Sequence, residues 1–253
     1  MQTKSSSSKK QDKNAKAPML IFSLALNGYE LLYKSYLESH RAYASRLQCD
    51  YVSVVKPHSS SLGVECCWLK IYLLQQALNA GYQHVLFLDA DALVQPDAPD
   101  IRTEFNSQKS VYLARGYSGD YNSGVILVRN DNNAKLFIQS VIQHRFLDKK
   151  ESVGWGENDS VIAVAENANY IETLSKRWNN TADEGLNDYI RHINFGPLRT
   201  SKKRNVIHKF MSRFTRALWW GAKLLPRKRR EKMLNRATQT TLQKILKYYP
   251  QFR

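Results

Sequence analysis

Asp89 and Asp91 close the apolar run His84-Val85-Leu86-Phe87-Leu88 and stand two residues apart. Side chains of an extended strand repeat every second residue, so both carboxylates fall on one side where the strand ends. Two oxygen ligands presented together suit a hard divalent ion, Mn²⁺ or Mg²⁺, which keeps open positions for phosphate oxygens. The chemistry implied is the binding of a diphosphate. The competing structural reading is that the aspartates cap the following turn or helix. Carboxylates this close repel unless a cation lies between them, which favours the metal. Upstream, Lys70 interrupts the apolar residues Trp68, Leu69, Ile71, Leu73 and Leu74. Its ammonium suits a phosphate and the charge of a leaving group, or it is an ordinary solvated helix lysine.

The elements that must position these groups alternate between strand and helix. Met19 to Ala25, Tyr51 to Val55 and His84 to Asp89 are apolar runs of strand length, separated by helical periodicity over Tyr29 to Leu47 and Cys67 to Leu78. Further strands are predicted at Ser110 to Ala114 and Val125 to Val128, with helices at Ala134 to His144 and Asp159 to Glu166. Strand–helix–strand repetition predicts an α/β fold with a doubly wound, mostly parallel sheet. The unbroken apolar run Val85 to Leu88 reads as a central strand covered on both faces. Ligands of such sheets bind beyond the carboxyl ends of the strands, where Asp89 and Asp91 lie.

From Trp68 to Val94 the chain resembles the donor-binding core of nucleotide-sugar glycosyltransferases of the GT-A type, in particular glycosyltransferase family 8 and the galactosyl/mannosyl/xylosyltransferase family 34. Trp68 with Lys70, Asp89-x-Asp91, Asn122-Ser123-Gly124 and Glu157-Asn158-Asp159 occur in the order those families show, over residues 18–200. The resemblance implies a GT-A fold, with helices on both faces of a Rossmann-like sheet. It implies a retaining hexosyltransferase that uses Mn²⁺ or Mg²⁺ and a nucleotide diphosphate sugar, a UDP-sugar being favoured. Asp89 and Asp91 become metal ligands, with Asp89 also at the donor. Lys70, Asn122, Gly124, Trp155 and Tyr29 become donor-binding residues, and Glu157, Asn158 and Asp159 the group beneath the anomeric carbon.

Each of these has a plain alternative. Asn-Ser-Gly is ordinary turn chemistry. Trp155 and Tyr29 suit core packing as well as stacking, and an acid-Asn-acid run is a good helix cap. Asn158 stands where the family has glutamine and is a poor nucleophile, able only to stabilise positive charge. The family's third metal ligand is a late histidine: His192 is the candidate and His208 the runner-up. Gly196 follows His192 by four residues rather than three. A haloacid-dehalogenase-like phosphatase also ends a strand in Asp-x-Asp, but on the first strand, whereas two strands precede Asp89 here.

Charge separates the ends from the middle. The formal charge is +16, yet residues 18–197 hold sixteen basic and twenty acidic residues, and the excess sits in 1–17 and 198–253. A middle region of net −4 is no nucleic-acid-binding domain, so no nucleic-acid partner is expected, a basic nucleic-acid-binding protein being the minor alternative. Residues 1–17 read as a solvated tail, 18–200 as the catalytic domain and 201–253 as a basic amphipathic tail. At helical spacing Ile207, Phe210, Met211, Phe214, Leu218, Ala222 and Leu225 form a stripe opposite Lys209, Arg213, Arg216 and Lys223. Such a segment suits an anionic membrane surface, or packs on the domain. The resemblance adds a membrane-associated glycan or glycolipid as acceptor. The longest early apolar run, Met19 to Leu26, is too short to span a bilayer, and no signal peptide precedes it. Three cysteines without a zinc pattern suit a reducing compartment. The expected location is the cytoplasm, peripheral on the cytosolic face of a membrane.

Overall fold

The computed structural model describes residues 17–145, 156–194, 198, 206 and 226–253. Its elements run β1 (Met19–Leu24), α1 (Tyr29–Leu32), α2 (Lys34–Arg46), β2 (Asp50–Val54), α3 (Glu65–Asn79), β3 (His84–Leu88), β4 (Ala92–Val94), β5 (Val111–Arg115) and β6 (Tyr121–Arg129). They continue with α4 (Asn132–His144), α5 (Asn158–Ala165), β7 (Ile171–Leu174), β8 (Ile190–His192) and α6 (Arg227–Tyr248).

Six strands form a sheet in the order β2-β1-β3-β6-β5-β7. β1 is parallel to β2 and β3, and β5 is parallel to β7, while β6 runs antiparallel between β3 and β5. Five strands therefore share one direction, which agrees with the mostly parallel sheet expected. Successive side chains go to opposite faces. Leu20, Phe22, Val85, Phe87, Ile126 and Val128 pack with α3 to α6, whereas Met19, Ile21, Leu86, Leu88, Val125 and Leu127 pack with α2 and β4. The unbroken Val85–Leu88 run is thus apolar because both sides of β3 are buried.

Two differences from the sequence reading matter for the site. β6 begins at Tyr121, so Asn122-Ser123-Gly124 belongs to a strand and not to a turn before one. The register places Leu113 opposite Ile126 but Ala114 opposite Asn122, so three β6 residues bulge out of the ladder with β5. The bulge lies at the end of β3, where the Asp89 amide donates to the Gly124 carbonyl at 2.8 Å. Bulges of this kind re-aim side chains beside functional sites.

The second difference concerns the expected tail at 201–253. Its last part, α6, is a cover of the domain. Leu234, Ala237, Leu242 and Ile245 recur at helical spacing and are buried in the core beneath it, with Thr238 and Thr241 between them. Phe252 meets Phe22 of β1 edge-on, with ring centroids 5.3 Å apart. The Tyr249 hydroxyl accepts hydrogen bonds from the Val55 and Lys56 amides at 2.8 and 2.9 Å. The domain boundary drawn at 200 is therefore corrected: 227–253 completes the core. Charge misled the sequence reading because Lys228, Arg229, Lys232, Arg236, Lys244 and Lys247 all face solvent from the outer side of the same helix. The stripe from Ile207 to Leu225 lies outside the described residues, as do residues 1–16. Among the described residues no helix is long and apolar enough to cross a membrane.

Candidate active site

Asp89 follows β3 directly, and Asp91 precedes β4, a short strand that pairs antiparallel with β8. That pairing sets Ala92 opposite His192, and the Ile193 amide donates to the Asp91 carbonyl at 3.0 Å. A residue a hundred positions downstream is thereby delivered to the Asp-x-Asp turn. His192 Nε2 lies 3.3 Å from Asp91 Oδ1 and 3.8 Å from Asp89 Oδ2.

The three side chains offer ligand atoms all within 4.8 Å of one another. Two carboxylates and an imidazole are a donor set that fits a divalent cation. The local electrostatics point the same way. Burial alone would depress the proton affinity of His192, but Asp91 and then Asp89 pull it above its ordinary value. Burial pushes Asp89 up, against the opposing pull of Lys70 and His192. The pocket between these groups favours a positive charge. Of the two histidines weighed, His192 is the one brought to the aspartates; His208 lies outside the described residues.

Lys70 is neither solvated nor directed to open space. It is 5% exposed, and its Nζ sits 2.5 Å from Glu157 Oε1, 3.5 Å from Asp89 Oδ1 and 3.0 Å from the Ser123 carbonyl. Desolvation opposes its charge, but Asp89 and Glu157 outweigh burial and hold the ammonium above the ordinary lysine range. Ser123 Oγ donates to Glu157 Oε1 at 2.7 Å, so one bulge residue joins the lysine and the glutamate. Glu157 is buried and makes no side-chain cap to α5, which removes the helix-cap alternative for it.

Asn158 is committed to the backbone of β6. Its Oδ1 accepts from the Ser123 amide at 2.8 Å and its Nδ2 donates to the Tyr121 carbonyl at 3.3 Å. It clamps the first turn of α5 to the bulge, with Glu157 and Asp159 on either side. Asn122 Oδ1 accepts from the Gly124 amide at 3.0 Å and from Asn179 Nδ2 at 3.0 Å. Gly124 is a matter of space: a Cβ there would collide with the His192 ring. Tyr29 follows the positive-φ turn Asn27-Gly28 and tilts against Tyr33 at 5.5 Å, consistent with the packing alternative. Trp155 lies outside the described residues.

Among solved structures, a glycosyltransferase involved in the glycosylation of the major capsid of PBCV-1 matches with a TM-score of 0.57 at 15% identity. The match covers 77% of this chain and 98% of that one. The chain has the GT-A fold. GlyE of Streptococcus pneumoniae TIGR4 matches at a TM-score of 0.45 and 13% identity, over 90% of this chain and 64% of that one. The galactosyltransferase LgtC, solved with donor and acceptor sugar analogs, matches at 0.45 and 11%, over 85% and 100%. No family model and no curated protein sequence matches the chain.

Within this GT-A fold three contributors escaped the sequence reading. Ser123 lay inside a quoted motif without a role. Asn179 carries no spacing signal that distinguishes it from its neighbour Asn180. His40, fully buried on α2, joins Ser23 Oγ at 2.8 Å to the Ala92 carbonyl and so ties β1 to the residue after Asp91. A histidine among the apolar residues of an amphipathic helix was its only signal.

Proposed function

We propose that the chain is a metal-dependent glycosyltransferase that moves a hexose from a nucleotide diphosphate sugar, with a UDP-sugar favoured, to an acceptor hydroxyl with retention at the anomeric carbon. The observation that carries this reading is the convergence of Asp89, Asp91 and His192 at the carboxyl end of β3 in a GT-A fold. Mn²⁺ or Mg²⁺ held by these three residues would neutralise the diphosphate leaving group. The chain's own residues supply the rest. Lys70 offsets the buried charge of Glu157, and Ser123 orients that carboxylate. Glu157 and Asp159 are the charges we assign to the developing oxocarbenium ion. Asn158 fixes their position through β6, and Asn122 and Gly124 act through the seating of His192. Lys70 and Asn122 are therefore assigned to the site's framework, in place of direct contacts with phosphate or sugar.

The acceptor we favour is a membrane-associated glycan or glycolipid, reached from the cytosolic face. Support comes from the basic outer side of α6 and from the basic, aromatic composition of 202–225.

The test is thermal stability and UDP release with Mn²⁺ and a panel of UDP-sugars. The intact chain should be stabilised and should release UDP slowly, and Asp89→Ala or Asp91→Ala should abolish both. Hydrolysis of a simple phosphomonoester, with no response to any nucleotide sugar, would sink the reading in favour of a phosphatase.

A further inference from the structure

We infer that Asn179 is a positioning residue that fixes the tautomer of His192, through a hydrogen-bond relay anchored on the backbone of the β6 bulge. The inference rests on the metal reading above and deepens it.

The relay is derived from its fixed end. Backbone groups have only one polarity: the Gly124 N–H can only donate, and the Asn122 carbonyl can only accept. The Gly124 amide points at the Asn122 side chain 3.0 Å away, so the atom it meets is the carboxamide oxygen. Asn179 then faces two oxygens of Asn122, the side-chain Oδ1 at 3.0 Å and the backbone carbonyl at 3.3 Å. Only an NH₂ group satisfies both. A flipped Asn179 would set oxygen against two oxygens in a site where the residue is 1% exposed. The remaining Oδ1 of Asn179 therefore faces His192 Nδ1, at 3.0 Å. An oxygen in that place requires a proton on Nδ1.

The consequence appears across the ring. With Nδ1 protonated, neutral His192 carries its lone pair on Nε2, the atom that faces Asp91 and Asp89. A lone pair opposite two carboxylates is unfavourable without a cation and is the arrangement a metal ligand requires. The opposite tautomer would place an N–H there and satisfy the carboxylates without any metal. Gly124 permits the geometry, since any side chain at that position would displace the ring. All three residues of Asn-Ser-Gly thus serve the site through other side chains: Asn122 through Asn179, Ser123 through Glu157, and Gly124 through the His192 ring.

The experiment measures the ring-nitrogen chemical shifts of His192 in the full, metal-free chain at alkaline pH, and Mn²⁺ affinity by calorimetry. The unsubstituted chain should show the Nδ1–H form. Asn179→Ala should shift it towards Nε2–H and weaken Mn²⁺ binding 10- to 100-fold, the range expected when an outer-shell partner of a metal ligand is lost. Asn179→Asp keeps an acceptor opposite Nδ1 and should retain the tautomer, at a cost in stability because its second oxygen then opposes the two Asn122 oxygens. An Nε2–H form in the unsubstituted chain overturns the inference, and that measurement needs no variant to fold. A shift towards Nε2–H in Asn179→Asp as large as in Asn179→Ala overturns it too, because a retained acceptor would then have made no difference to the ring. Absence of Mn²⁺ binding by the unsubstituted chain overturns the metal reading instead, while the nitrogen shifts still decide the relay.

Discussion

The carboxyl end of β3 and the outer face of α6 are both crowded with charge, and they dispose of it in opposite ways. At β3, Lys70, Asp89, Glu157 and His192 lie within a few ångströms, each answered by an opposite charge or a hydrogen bond. On α6, Lys228, Arg229, Lys232, Arg236, Lys244 and Lys247 project from one helix into solvent, and the helix's one acid, Glu231, pairs with Arg227. Buried charges are bound to particular partners, because each partner lost leaves an ion without solvation. Exposed charges act together, weakly and through the solvent. Net charge, the most conspicuous number in the sequence, belongs to the region where single residues matter least.

The sharpest way to break this contrast is to remove its central cation. Lys70→Met should lower unfolding free energy by about 3–5 kcal/mol, because Glu157 and Asp89 are left buried and uncompensated. The double variant with Glu157→Gln should recover part of that loss. Chemical denaturation checks both, and a loss no larger than that of a surface lysine would end the distinction.

The covered side of 227–253, which includes Phe252 just beyond α6, should behave as core. Phe252→Ala, which empties a fully buried site against Phe22, should cost about 3–4 kcal/mol. A denaturation midpoint that does not move would return 227–253 to the status of a tail.

His40 adds a pH term on the site's side of the molecule. Burial lowers its pKa from 6.5 to about 4, against the pull of the Ala92 carbonyl and Asp91. The unfolded chain takes up this proton first, so stability is full above pH 6.5 and falls as pH drops towards 4, by roughly 3 kcal/mol in total. His40→Asn should flatten that acid slope relative to the unsubstituted chain, compared at equal denaturant. Parallel slopes would show that His40 does not stay neutral.

The smallest effect on folding is expected on the outer face of α6. Replacing Lys228, Arg229, Lys232 and Arg236 by glutamine should change stability by no more than about 0.5 kcal/mol each. Binding to anionic vesicles should weaken with every substitution and vanish with salt, since each basic group near such a surface contributes up to ~1 kcal/mol. A melting temperature that falls as it does for Lys70→Met would erase the contrast from the other side.

What the sequence disclosed follows the same division. β1, β2 and β3 were legible because apolar runs bounded by polar residues have few other solutions, and Asp89 and Asp91 were legible because period two places them together. His192 could be ranked ahead of His208 but its approach could not be derived, since it depends on the pairing of β4 with β8, which no local pattern encodes. The bulge in β6 hid behind Asn-Ser-Gly, whose composition suits a turn equally well. Asn179 left no trace, because a side-chain amide acquires its role only from the groups it faces. α6 was misjudged through its outer half: charge is counted from sequence, but which side of a helix is covered is decided by the domain beneath it.

The contact between Phe22 and Phe252 has a consequence for how the chain comes to be folded at all. Two rings that touch in the core are 230 positions apart in sequence. Closing so long a loop carries a large entropic cost and is slow compared with forming local helices or hairpins. Synthesis runs from the amino end, so β1, β2 and β3 are made long before the helix that covers one of their faces. Until the last residues emerge, Phe22 and its neighbours rest on Phe87 and the earlier helices but lack the part of their cover that 227–253 supplies. The nascent domain carries an apolar gap in that cover until its last residues are made, a period in which a chaperone or aggregation competes for the place that Phe252 finally takes.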